Sequence, residues 1–297
     1  IFTVKRIWGT NYRPPFFCPR LMLAFLLNTG LGGCFMSNDH YNLEVSGAIA
    51  TVQIISDDGR NALSAARMRA LTQLAQTLKS RTDISCIILT GGANFSAGAD
   101  LKDPEMGRQK LSALERRQSL LVGPDLCNAW EALEQITIAA IDGYCIGGGM
   151  ALALACDWRV MGSSSYFRLP EIPLGMNMSW QSNPRLVALV GPARAKSIVV
   201  LGEACGADQA LAWGLADKLA SDGSAIEGAR ELAEKVISLP PLAVRMSKQA
   251  INAAAHALNY ATSYMDRDQF AYAAGSDDQR EAVAAFLEKR KPNFTGN

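Results

Sequence analysis

A chain of 297 residues with 49% hydrophobic and 19% charged side chains has the make-up of a folded globular protein and enough length to bury a sizeable core. Its 29 basic and 28 acidic side chains leave a net charge of +1, which gives no electrostatic footing for a nucleic-acid partner, so any anionic ligand must be caught locally. Seven scattered cysteines, never in a C-x-x-C pair, and only two histidines, His40 and His256, argue against a disulfide framework, a metal centre and a Ser-His-Asp hydrolase.

The first residues form a separate case. Residues 1–36 open with a basic head (Lys5, Arg6, Arg13, Arg20), pass into seven apolar residues at 21–27 and reach LGGC at 31–34, an order similar to a bacterial lipoprotein signal. The apolar run is too short to span a bilayer. The plainer reading takes Met36 as the natural start and the preceding residues as upstream sequence, which makes the protein cytoplasmic. Either way, residues 1–36 are set apart from the fold.

From Tyr41 the pattern turns regular. YNLEV and AIATVQI alternate on either side of Ser46-Gly47, which predicts a β-hairpin. Ser64 stands where an N-cap belongs, ahead of Met68, Leu71, Leu74, Ala75 and Leu78 on one helix face. CIILT (86–90) predicts a buried strand that breaks at Gly91-Gly92. A polar stretch from Asp103 to about Lys110 precedes a single helix through Leu120, Leu126, Trp130 and Leu133. ITIAAID (136–142) is a further apolar strand, followed by glycines and the helix MALALAC; WRVMG adds one more strand. Strands alternating with helices imply a largely parallel α/β sheet. Past Asn183 the chain reads as helical, with stops at Gly191-Pro192, Gly202 and Pro240-Pro241.

Two segments share one design, a strand, then a glycine-rich turn, then a helix start: LTGGANFSAGADLK (89–102) and AAIDGYCIGGGMALA (139–151). Glycines let a ligand approach the backbone, and such turns leave N–H groups pointing outward. Two N–H groups from different turns, aimed at one point, make an oxyanion hole. Neither segment is a P-loop or a dinucleotide fingerprint.

The two turns, followed by L-P-E-I-P-L-G (169–175) and joined by N-A-L-S (61–64), A-W-G-L-A-D (212–217) and F-L-E-K-R-K-P-N-F (286–294), resemble the crotonase (enoyl-CoA hydratase/isomerase) superfamily from about Tyr41 onward. The resemblance implies a ββα-spiral core with a C-terminal α-helical trimerisation region, here residues 37–235 as the acyl-CoA-binding catalytic core and 236–297 as the oligomerisation region. It implies acyl-CoA or enoyl-CoA thioesters as substrates, no metal, no cofactor beyond the coenzyme A carried by the substrate, and a homotrimer or dimer of trimers. Carried over by position, the oxyanion donors are the backbone N–H groups of Ala99 and Gly148. Ala97, Asp100, Leu101 and Lys102 fall at coenzyme A contacts, as does Lys289, from a neighbouring subunit. Asp100 also reads as a turn residue. Met178 and Trp180 replace a segment that is usually glycine-rich and are candidates for shaping the acyl pocket.

The acid–base positions are split. Glu171 matches one of the two hydratase glutamates; the other position, two residues after Gly149, is Ala151. A methyl cannot move a proton. One carboxylate suffices for the 3-enoyl to 2-enoyl proton shift of the family's isomerases, so an isomerase-like enzyme with Glu171 as acid/base is the expected activity. The alternatives are a hydratase or an unsaturated fatty-acid signal synthase whose first glutamate was replaced at Ala151, or a non-catalytic acyl-CoA-binding protein. From the sequence alone, Ala151→Glu is expected to restore hydration without rebuilding the pocket.

Overall fold

The computed structural model describes residues 34–107 and 111–297. Ten strands occur among them in chain order: β1 (Cys34–Ser37), β2 (Tyr41–Ser46), β3 (Ile49–Ile54), β4 (Cys86–Thr90), β5 (Ile136–Ile141), β6 (Tyr144–Ile146), β7 (Trp158–Gly162), β8 (Tyr166–Arg168), β9 (Cys205–Gly206) and β10 (Lys218–Ala220). Seven make one sheet in the order β1-β2-β3-β4-β5-β7-β10, and β6-β8-β9 make a second. β1, β2 and β3 run antiparallel, as the hairpin pattern requires, and from β3 to β10 every pairing in the large sheet is parallel. The α/β class with a helical C-terminal region is therefore the fold observed.

The period of two in β4 explains the layering. Ile87 and Leu89 point into one core with Met68, Leu71 and Leu78 of the helix Ala65–Lys79. Cys86 and Ile88 point into a second core with Ala225, Ala229 and Ala233 of the helix Ala225–Ile237. A strand covered on both faces has no polar side to show, hence the unbroken apolar run in CIILT. The helix Ala65–Lys79 starts as predicted: the Ser64 hydroxyl accepts from the Arg67 N–H, and the Asp103 carboxylate accepts from the Ala65 N–H at 2.7 Å.

Four details differ from the sequence reading. Cys34, Phe35 and Met36 belong to edge strand β1, so the sheet begins inside the segment that was set apart; residues 1–33 lie outside the described residues. The polar stretch after Asp103 holds a short helix, Pro104–Gly107, with residues 108–110 outside the described residues. The single helix expected through Leu120 and Leu133 is two, Ala113–Ser119 and Val122–Glu131: the first is a short helix with no buried residue, started by its own Ser112–Glu115 capping box. β6, β9 and β10 are too short, at two or three residues, for alternation to register.

The helix Ala225–Ile237 still packs on the sheet, and the all-helical segment starts with Pro241–Ala255 and continues through Asn259–Ser263, Asp266–Ala273 and Asp277–Glu288. Lys248 anchors it, donating to the Gln135 carbonyl at 2.7 Å and pairing with Asp157 at 2.6 Å. Five cysteines, Cys86, Cys127, Cys145, Cys156 and Cys205, are buried free thiols; burial pushes Cys86, Cys127 and Cys156 up to about 12 and Cys145 well above the usual thiol range. Among the described residues no helix is long and apolar enough to cross a membrane.

Arg185, on the helix Ser182–Leu201, is the most connected buried cation. It donates to Glu131 at 2.7 and 3.0 Å, to Asn128 at 2.9 Å, and to the carbonyls of Trp180 and Gln181 at 3.1 and 3.2 Å. Burial alone would raise the Glu131 carboxyl, but hydrogen bonds from His256 and Arg185 outweigh it and hold it at about 2. A depressed carboxylate lends stability that is present above its ordinary 4.5 and lost as pH falls towards 2. Removing one partner of a buried pair typically costs about 3 kcal/mol. Arg185→Met therefore lowers the urea midpoint at pH 7 by that equivalent, and its stability falls less steeply than the parent's between pH 4.5 and pH 2, followed by circular dichroism.

Candidate active site

The first glycine turn is held from below by Asn61. This residue adopts φ +52°, a conformation asparagine tolerates, and its amide donates to the carbonyls of Gly91 and Asn94 at 2.8 and 2.7 Å. The Ser96 hydroxyl returns a bond to the Asn61 carbonyl at 2.7 Å. The N–H groups of Ala97 and Asp100 donate to the carbonyls of Arg60 and Leu63, and Leu63 donates back to Gly98 at 2.7 Å. Between these, the N–H of Ala99 meets no acceptor among the described residues.

The second turn leaves β6 and enters the helix Gly148–Leu154, and each of its three glycines has a separate reason. Gly147 takes φ +52° and ψ −120°, closed to residues with a Cβ. A Cβ at Gly148 would strike the indole of Trp180, and one at Gly149 would stand 2.7 Å from the Ser96 Cβ. As the first helical residue, Gly148 has no intrahelical acceptor for its N–H, and no other group among the described residues supplies one.

The two turns are laid directly against each other. The N–H of Ser96 donates to Tyr144 at 3.2 Å and the N–H of Ile146 to Ser96 at 3.0 Å. Gly98, at φ +86°, sits so close that a Cβ there would be 2.7 Å from the Ile146 carbonyl oxygen and 3.2 Å from the Gly148 nitrogen. The unpartnered N–H groups of Ala99 and Gly148 thus belong to touching peptide segments at the mouth of one cavity.

Glu171 completes the group. It follows Pro170 and opens the short 3-10 turn Ile172–Leu174, and its carbonyl accepts from the Leu174 and Met176 N–H groups at 3.1 and 2.9 Å, which fixes the backbone beneath the side chain. Its carboxylate lies over Gly147: a Cβ on that glycine would be 2.8 Å from Oε1. Oε2 is sealed from solvent and has no hydrogen-bond partner. Burial raises the Glu171 carboxyl to about 7, only slightly opposed by its own backbone N–H. A carboxyl poised near neutral pH can both take and return a proton.

These groups surround a cavity of about 210 Å³. Of the residues the sequence singled out, Ala97, Ala99, Leu101, Gly148, Glu171, Met178 and Trp180 line it. Asp100 does not; it accepts from the Lys102 N–H at 3.0 Å as a turn residue, and Lys102 faces solvent. Lys289 is the exposed C-cap of the last helix, away from the cavity lining. Ala151 is fully buried and does not line the cavity either. The sequence reading missed Met106, Val122, Gly123 and Pro124, and it missed Arg267 and Phe270 from the helix Asp266–Ala273. Their only sequence signal was apolar residues around a helix break, plus one basic residue in a tail read as interface.

Comparison with known proteins agrees with this architecture. The profile of the enoyl-CoA hydratase/isomerase family matches residues 44–297. A short-chain-enoyl-CoA hydratase of Clostridium acetobutylicum is 32% identical over 251 residues, 84% of this chain and 95% of the relative. A 2,3-dehydroadipyl-CoA hydratase of Escherichia coli is 35% identical over 238 residues, 80% of this chain and 91% of its own length. The crystal structure of an enoyl-CoA hydratase from Mycobacterium avium subsp. paratuberculosis superposes with a TM-score of 0.75 at 25% identity, covering 86% of this chain and 98% of that one. The chain belongs to the enoyl-CoA hydratase/isomerase family and is an enzyme of that family.

The raised Glu171 carboxyl has a consequence for stability. With a folded value near 7 against an ordinary 4.5, the native state holds the extra proton between those values, so stability falls as pH rises through the window and stays lower above it. Glu171→Gln removes that penalty. It should raise stability at pH 8 by an amount on the order of 2 kcal/mol, and the gain should vanish by pH 4.5, read as the difference in melting temperature between parent and variant.

Proposed function

We propose that the protein catalyses a 1,3-proton shift in enoyl-CoA thioesters, converting a 3-enoyl-CoA to a 2-enoyl-CoA. The thioester oxygen accepts from the N–H groups of Ala99 and Gly148. The Glu171 carboxylate takes the proton from C2, and the C–H electron pair moves into the carbonyl to form an enolate held by the two donors. The enolate then collapses, the double bond moves from C3–C4 to C2–C3, and the proton on Glu171 passes to C4. No atom is gained or lost and no cofactor is used beyond the coenzyme A portion of the substrate. The carrying observation is that Glu171, with Oε2 sealed and without a hydrogen-bond partner, is the one carboxylate among the described residues lining the cavity, and that position 151 carries none. Hydration is the second reading, supported by the names of the relatives.

The proposal extends to assembly. Leu242, Met246, Ile251, Leu258, Tyr260 and Tyr264 on the C-terminal helices are exposed, as expected of faces that other subunits cover. Phe270, on the neighbouring helix Asp266–Ala273, lines the cavity instead. The homotrimer or dimer of trimers that family membership suggests would cover the exposed faces and could bring Lys289 to a neighbour's coenzyme A. Light scattering at micromolar concentration should give a mass of three or six chains; monomer alone would sink this part.

Incubation with 3-enoyl-CoA and 2-enoyl-CoA in parallel, with product analysis, decides the reaction. The 3-enoyl substrate should be turned over, with kcat/KM rising with pH and levelling above about 7 as Glu171 ionises. Glu171→Gln should lose about a hundred- to ten-thousand-fold in kcat while still binding saturated acyl-CoA by calorimetry, since the oxyanion donors are backbone groups. Binding without any Glu171-dependent turnover would identify a binding protein; hydration exceeding isomerisation would identify a hydratase.

A further inference from the structure

On a helix, a side chain lies back over the turn that precedes its own Cα. A long side chain at position 151 of the helix Gly148–Leu154 would therefore lie over Gly147 and Gly148, beside the Gly148 N–H and facing Glu171. Trp180 stands over that same turn. The six-membered ring of Trp180 packs on Gly148, and the pyrrole side of the same indole packs on Gly123, so that a Cβ on either glycine would run into the ring. Ala151 is left with no exposed surface behind it.

The turn that carries the indole is built for the purpose. Trp180 and Gln181 are consecutive non-glycine residues at φ +62° and +56°, a conformation uncommon for bulky side chains. Three bonds hold it there: the Gln181 N–H donates to Asp266 at 2.6 Å, and the carbonyls of Trp180 and Gln181 both accept from Arg185. Two facing glycines, a left-handed pair and a buried arginine clamp converge on one ring.

We propose that Trp180 is a specificity-determining residue: its indole occupies the place that a carboxylate at position 151 and its oriented water would need, and so commits the site to proton transfer rather than hydration. The proposal rests on the isomerase reading above and deepens it. Hydration adds the hydroxyl of water to C3 and a proton to C2, which requires a water held beside C3 and activated by an acid/base group. A ring against Gly148 leaves Glu171 as the sole acid/base and excludes that water. On this proposal Ala151→Glu alone does not restore hydration, because the new side chain, leaning back over Gly148, meets the indole that packs there.

Four proteins test this: parent, Ala151→Glu, Trp180→Gly and the double variant. Glycine suits φ +62°, so Trp180→Gly relieves the turn as it clears the space. Steady-state hydration of 2-enoyl-CoA should stay within a few-fold of the parent in both single variants and rise about a hundredfold in the double. Ala151→Glu as fast as the double, or a folded double no faster than the parent, would overturn the proposal. A thermal cycle reads the packing without any turnover. Ala151→Glu should lower the melting temperature by roughly 3–10 °C with Trp180 present and by much less with Trp180→Gly, as expected when overpacking is relieved. Soluble Ala151→Glu recovered only together with Trp180→Gly is the same result at its extreme, whereas equal losses in both backgrounds, or no folded double, count against it. Failure of the isomerase reading shows separately, as a parent without 3-to-2 turnover.

Discussion

The site depends on one close approach. The chain after β4 and the chain after β5 meet at Gly98, where there is no room for a single extra carbon between one backbone and the next. That contact sets the spacing of the Ala99 and Gly148 N–H groups. Everything else maintains it: β4 and β5 pair in parallel register so that both strands end at the same edge, and Ser96 is bonded into both Tyr144 and Ile146. Donors built from backbone need no reorganisation when charge develops, which is why preorganised N–H groups contribute so much to acyl chemistry. A side-chain donor would have carried rotamer freedom into the same place.

Beside this rigid pair of N–H groups lies a carboxyl whose value stands near neutral pH. Glu171 has neither a cation nor a donor on its sealed oxygen, and burial alone brings its carboxyl near neutrality. The contrast with Glu131 is instructive. Both are buried carboxylates, yet Glu131 is held ionised by Arg185 and His256, whereas Glu171 has only its own backbone N–H to oppose burial and stands near 7. The difference between scaffold and chemistry lies in the partner, not in the residue type.

Much of this was legible in the sequence, for identifiable reasons. β4 and β5 were readable because apolar runs bounded by glycine leave few alternatives, and Ser64 because a cap precedes a periodic face. The two glycine turns were readable only jointly, through order and spacing. Trp180 could be noticed but not interpreted. Its partners, Gly123, Gly148, Asp266 and Arg185, are drawn from four separate helices or their ends, and no local pattern records such a convergence. Likewise Ala151 could be named as a missing carboxylate, but its complete burial could not be read from the helix MALALAC itself. Met106 and Phe270 stayed hidden because an apolar residue lining a cavity is indistinguishable, one-dimensionally, from one in a core.

The buried thiols take on a different meaning beside the proposed product. A 2-enoyl thioester is an electrophile at C3, and a thiolate is the side chain best suited to add to it. Cys145 sits in β6, two residues before the oxyanion turn, in reach of the chemistry by sequence though sealed in the core. Its thiol is held protonated by burial, as are those of Cys86, Cys127 and Cys156. Dry packing around sulfur therefore favours the thiol over the thiolate, and the thiol is the form that adds poorly to such an acceptor.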